Sequence, residues 1–99
     1  MNYKPLLIGE IGLSHEGSVG NAIALVDLAL KYNLDLIKFQ DHWADYESSF
    51  NEKMRVKSNI DKNRYDYWKR TEFSFEEWQI IHNYIKNKNI RFGCSVFSP

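Results

Sequence analysis

Between Leu6 and Gln40 the chain reads strand, helix, strand with scarcely a residue to spare. A βαβ unit takes about 30 residues or more, and this spacing leaves room for little except two parallel strands joined by a crossover helix. Leu6-Leu7-Ile8 is a short apolar run that reads as a buried strand, expected to continue to about Gly12. Ser18 stands where its hydroxyl caps a helix from near Val19. Ala22, Leu25, Val26, Ala29 and Leu30 then recur at spacings of three and four, which makes one apolar face. Tyr32-Asn33 ends that helix, since asparagine tolerates the left-handed cap. The second strand follows at once as Leu34–Gln40.

A second helix and strand repeat the pattern. Ser74-Phe75-Glu76-Glu77 is a capping box and opens a helix to about Lys88, with Trp78, Ile81, Tyr84 and Ile85 on one face. His82 is expected on the helix surface. The third strand is Ile90–Val96, running out at Phe97-Ser98-Pro99. Cys94 within it reads as a small core residue rather than a nucleophile. The order is β-α-β-(long segment)-α-β. This is an α/β pattern that fits the first three strands of a (β/α)8 barrel, a fold that typically needs about 250 residues. The chain has 99 residues and stops on a strand. Residues 1–99 are therefore expected to be a truncated, N-terminal portion of a larger barrel.

Strand alternation puts Leu36, Lys38 and Gln40 on one face and Ile37 and Phe39 on the other. In a parallel α/β protein the apolar face meets the helices, so Lys38 and Gln40 belong to the inside, at the carboxyl end of their strand. Glu10 falls on the same face as Leu6 and Ile8, at the height of Lys38. After it come Ser14, His15 and Glu16, fenced by Gly12 and Gly17, and strand ends turning into such loops are where α/β proteins place chemistry. On the residues alone Glu10 is either a chemical group or a structural ion-pair partner.

The segment 41–71 is long for a loop in a compact domain and reads either as an active-site lid or as a partly helical excursion. It carries Trp43, Tyr46, Phe50, Tyr65, Tyr67 and Trp68 with Arg55, Lys57, Arg64, Lys69 and Arg70, and a polar turn at Asn59–Asn63. Aromatic and basic residues together suit single-stranded nucleic acid, but four acidic residues between Asp41 and Glu52 oppose it. With 13 basic and 13 acidic residues overall, there is no electrostatic footprint for nucleic acid or an anionic membrane. No apolar run approaches the ~20 residues of a membrane span. One cysteine excludes an internal disulfide and fits a reducing compartment, so a cytoplasmic location is expected. His15, His42 and His82 lie far apart and form no local metal motif.

The motifs together resemble the sialic acid synthase family, the phosphoenolpyruvate-dependent synthases of N-acetylneuraminate and related nonulosonates. Gly9 to Gly17 read GEIGLSHEG against the family's A-E-I-G-x-N-H-x-G. Lys38-Phe39-Gln40 match its K-F-Q, Phe73-Ser74-Phe75-Glu76-Glu77 its L-S-F-E-E, and Cys94-Ser95-Val96-Phe97-Ser98 its S-T-P-F-S. Ser14 stands for the usual asparagine and Val96 for the usual proline. The resemblance implies condensation of phosphoenolpyruvate with the aldehyde form of an N-acylated amino sugar, N-acetylmannosamine or a relative, releasing phosphate. Glu10 then handles a proton, Lys38 and Gln40 hold phosphoenolpyruvate, and Ser14, His15 and Ser95 line the substrate site. A divalent metal, manganese or magnesium, is implied with ligands outside this chain. A C-terminal antifreeze-like domain and a homodimer are implied for the full-length protein.

Two other readings stand beside this one. Lys38 on its strand also suits a Schiff-base aldolase. Alternatively, three strands with an open edge suit an inert interaction fragment.

Overall fold

The computed structural model describes residues 3–49, 52–54 and 60–97. Phe50, Arg55, Lys57, Asn59, Ser98 and Pro99 lie outside the described residues. The element order is β1 (Ile8–Gly12), α1 (Val19–Lys31), β2 (Leu36–Asp41), α2 (Ala44–Glu47), α3 (Arg64–Thr71), α4 (Phe75–Ile85) and β3 (Arg91–Val96). The three strands form one parallel sheet in the order β1-β2-β3.

Local chemistry sets the helix ends. Ser18 Oγ accepts the Asn21 N–H at 3.1 Å and starts α1. Asn33, at φ 58°, turns the chain out of it. In α4 the capping box is complete: Ser74 Oγ accepts from Glu77 N–H at 3.1 Å, and Glu77 Oε1 accepts from Ser74 N–H at 3.0 Å. The helix ends at Ile85, three residues earlier than its pattern suggests. Strand β2 begins at Leu36 rather than Leu34, because Asp35 is taken up by the chain before β1: its carboxylate accepts the Leu7 N–H at 2.8 Å.

One face of the sheet carries the core. Ile37 and Phe39 are fully buried under Ala22, Val26 and Ala29 of α1 and Ile81 and Ile85 of α4. Each fully buried valine, isoleucine or phenylalanine side chain here contributes about 1.5–3 kcal/mol. Trp78 closes the layer edge-on to Phe39 and Phe73, at 5.6 and 5.0 Å between ring centres. A hydrogen bond from the Tyr84 hydroxyl to Asp27 ties α4 to α1.

The opposite face has no layer over it among the described residues. Leu6, Leu7 and Ile8, expected in a buried strand, are about half exposed, and Leu6 and Leu7 precede β1. Cys94 corrects the sequence reading in the same way. It is exposed on the edge strand β3, although its register partner Phe39 is fully buried. Its thiol is pushed up to about 11, chiefly by desolvation and then by the Asp41 carboxylate. His82 lies on the exposed helix surface as expected. The segment 41–71 is a partly helical excursion containing α2 and α3.

Candidate active site

Parallel pairing brings Glu10 and Lys38 side by side as register partners. Their side chains point to the face opposite the core, where Lys38 Nζ lies 3.7 Å from Glu10 Oε2. Both are about half exposed, at 43% and 52%, so the pair lies open rather than buried as a closed barrel interior predicts. The register slips between Glu10 and Gly12, leaving Ile11 as an extra residue. Ile11 drops into the core, and Gly12 rather than Ile11 stands opposite Phe39. A Cβ at Gly12 would lie 3.4 Å from Glu10 Oε1 and 3.8 Å from the Gln40 amide. With φ at 56°, this is a backbone position that suits glycine.

Gln40 is in register with Ser95 on β3, and Lys38 with Gly93. Register partners in a parallel pair share a face. Glu10, Lys38, Gln40 and Ser95 therefore gather on one side of the sheet toward the strands' carboxyl ends. The group combines a carboxylate, an ammonium, an amide and a hydroxyl. That set can hold a small anion on the cation and the neutral donors while the carboxylate moves a proton.

The other two residues expected at the site go elsewhere. Ser14 is exposed in the turn, its N–H donating to the Ile11 carbonyl at 2.9 Å. His15 is fully buried on the core side, its ring stacked on Phe73 at 4.2 Å and tilted against Phe39 at 6.1 Å. Its Nδ1 accepts the Gly17 N–H at 2.9 Å, and burial lowers its pKa to about 4. The structure thus brings four of the six expected residues together and sends His15 to the far side of the sheet.

Sequence reading passed over His42. It lies one residue beyond β2, 6% exposed, with its Nε2 3.2 Å from Gln40 Oε1. Its position two after Gln40 and four after Lys38 was the available signal, since the strand's alternation runs on into it. Asp41, between them, faces the helices and accepts from Trp78 Nε1 at 3.3 Å. Desolvation is the main reason its pKa is raised.

An open groove of about 770 Å³ at the other end of the sheet is lined by Lys4, Leu6, Asp35, Lys88 and Arg91 among others and contains none of these residues. Among the described residues no three His, Cys, Asp or Glu side chains converge to hold a metal ion. No helix among them is long and apolar enough to cross a membrane.

Against known families, the sequence model of the NeuB family matches residues 25–99, three quarters of the chain. The chain belongs to the NeuB family. Two solved structures share its fold. N-acetylneuraminic acid (sialic acid) synthetase from Leptospira borgpetersenii serovar Hardjo-bovis, crystallised with citrate, is 26% identical with a TM-score of 0.76 over 96% of this NeuB-family chain. The spore coat polysaccharide biosynthesis protein spsE from Bacillus subtilis is 25% identical with a TM-score of 0.63 over 98%. The chain spans 30% of the length of the first and 25% of the second. No curated protein sequence matches it.

Proposed function

We propose that this chain is the N-terminal part of a sialic acid synthase-type (β/α)8 barrel, condensing phosphoenolpyruvate with an N-acylated amino sugar. The observation that carries the reading is the convergence of Glu10, Lys38, Gln40 and Ser95 on one face of a sheet whose fold is that of a sialic acid synthetase. In the reaction a carbon–carbon bond forms between phosphoenolpyruvate and the sugar aldehyde. Water adds at the former enol carbon, and cleavage of the carbon–oxygen bond releases phosphate. Lys38 binds the anionic substrate and Gln40 donates beside it. Glu10, 3.7 Å from Lys38, moves the proton of the sugar hydroxyl or the attacking water. The pairing of Lys38 with an anion favours this charge-binding role over a Schiff-base one, which needs a neutral amine. The divalent metal, the antifreeze-like domain and the homodimer belong to the same proposal and lie outside these residues.

The test uses the full-length enzyme, with phosphoenolpyruvate affinity by calorimetry and turnover at saturating substrates. Lys38→Met is expected to weaken phosphoenolpyruvate binding by about 2 kcal/mol. That falls within the ~2–5 kcal/mol range for truncating a charge partner. Glu10→Gln is expected to leave affinity near normal and lower turnover by about 100- to 10,000-fold. Unchanged affinity in the first variant removes the anion-binding role, and turnover within a few-fold of the parent in the second removes the proton-transfer role.

A further inference from the structure

His42 is held more tightly than any role suggested by its sequence position requires. Its ring lies between Trp68 of α3 and Phe97, just past β3, at 4.0 and 4.2 Å between centres and within 14° and 11° of parallel. A ring clamped from both faces by two separate segments keeps its plane, and with it the direction in which Nε2 points. That nitrogen meets Gln40 Oε1 at 3.2 Å.

The amide of Gln40 has two unlike ends, and the structure separates them. The oxygen is turned to His42. The nitrogen is turned back over Gly12, 3.8 Å from where a Cβ would stand, on the side where Glu10 Oε1 approaches the same point. An amide in this orientation offers N–H donors to a ligand beside Lys38. The flipped amide would offer an oxygen, whose lone pairs repel a carboxylate or phosphate. Glutamine alone does not choose between the two, because both ends fit the same space. A donor fixed against the oxygen does choose.

We propose that His42 is a positioning residue that donates from Nε2 to Gln40 Oε1 and thereby locks the amide with its NH2 toward the anionic substrate. The proposal rests on the reading of Lys38 and Gln40 as the phosphoenolpyruvate site. It gives Trp68 of the excursion a role: it clamps the residue that aims the amide.

The experiment is a double-mutant cycle on the full-length enzyme with Gln40→Ala, His42→Phe and the double variant. It reads phosphoenolpyruvate dissociation constants by calorimetry, steady-state kinetics and thermal midpoints. Phenylalanine keeps a stacked ring and removes the donor. His42→Phe is expected to weaken phosphoenolpyruvate binding about 5- to 30-fold, the scale of one hydrogen bond. KM should rise more than kcat falls, and the double variant should bind no worse than Gln40→Ala alone. His42→Gln, whose amide N–H reaches the place of the imidazole Nε2, is expected to recover part of the loss. If His42→Phe does not fold, His42→Leu closes the same cycle. Losses that multiply across the cycle, or a His42→Phe enzyme that binds phosphoenolpyruvate like the parent, overturn the positioning role. An unchanged affinity in Gln40→Ala by itself instead overturns the placement of Gln40 in the substrate site, which is the failure of the underlying reading.

Discussion

His15 sits in the motif that points most directly to chemistry, yet its ring is packed away between Phe39 and Phe73 with Nδ1 accepting from the Gly17 N–H. In the neutral ring Nε2 then carries the proton, and that atom is buried without a hydrogen-bond partner among the described residues. A second proton would place a charge where there is no water to solvate it, which is why burial lowers the pKa from 6.5 to about 4. The folded-state value lies below the unfolded one, so the unfolded chain binds more protons between these limits and stability rises with pH across that window. Above the upper limit both states are neutral; below the lower one both are charged and no further loss accrues. Taking the full-length protein from pH 7.5 to pH 5 is expected to cost about 2 kcal/mol through this residue. Urea unfolding at both pH values should show the loss in the parent and a smaller one in His15→Phe. Equal losses in the two proteins would assign the acid sensitivity to other groups.

Between elements, the tightest fit is where the loop after β1 meets the end of α3. Arg70 holds Asp61 through two hydrogen bonds, at 3.0 and 2.9 Å, and reaches Glu16 at 3.9 Å. Those contacts, first of all the Asp61 hydrogen bond, hold the guanidinium pKa up. Gly17 lies against the backbone of the same turn: a Cβ there would stand 2.2 Å from the Arg70 carbonyl oxygen. With φ at 78°, any other residue also pays the left-handed penalty. Gly17→Ala is therefore expected to destabilise the protein by about 2–5 kcal/mol, the sum of that penalty and of overpacking against backbone. A denaturation midpoint like the parent's would mean that α3 does not dock on this loop in solution. The loop's packing also matters for the site, because the chain that leaves Gly12 must pass through it.

At the scale of the whole chain, the sheet is finished on one side only. Helices α1 and α4 cover Ile37 and Phe39, while Leu6, Leu7 and Ile8, and also Val96 and Phe97 at the other edge, remain about half exposed or more. The outer edges of β1 and β3 carry no strand partner among the described residues. Unpaired parallel edges and an uncovered apolar face are the features that drive edge-to-edge association. The 99-residue chain expressed alone is expected to self-associate or precipitate, with sedimentation velocity as the measurement. A stable monomer with a sharp, cooperative melt would argue for a self-sufficient small domain and against the barrel reading.

How much of this was legible beforehand follows from the range of each interaction. Ser18, Asn33 and the Ser74–Glu77 box mark helix ends within a few residues of their own backbone, so the local sequence determined them. Alternation along β2 likewise separated Lys38 and Gln40 from Ile37 and Phe39, and the motif order determined the family. The start of β2 was less legible, because Asp35 answers to Leu7, 28 residues away. Only the tertiary structure decided the rest. The bulge at Ile11 sets Gly12 rather than Ile11 opposite Phe39, and a turn that reads as one polar loop sends His15 into the core. His42 became visible as a partner of Gln40 only once α3 and the end of β3 supplied the two rings around it. Side-chain direction past a strand end, and what covers a face, depend on elements distant in sequence, and no local pattern encodes where those elements will pack.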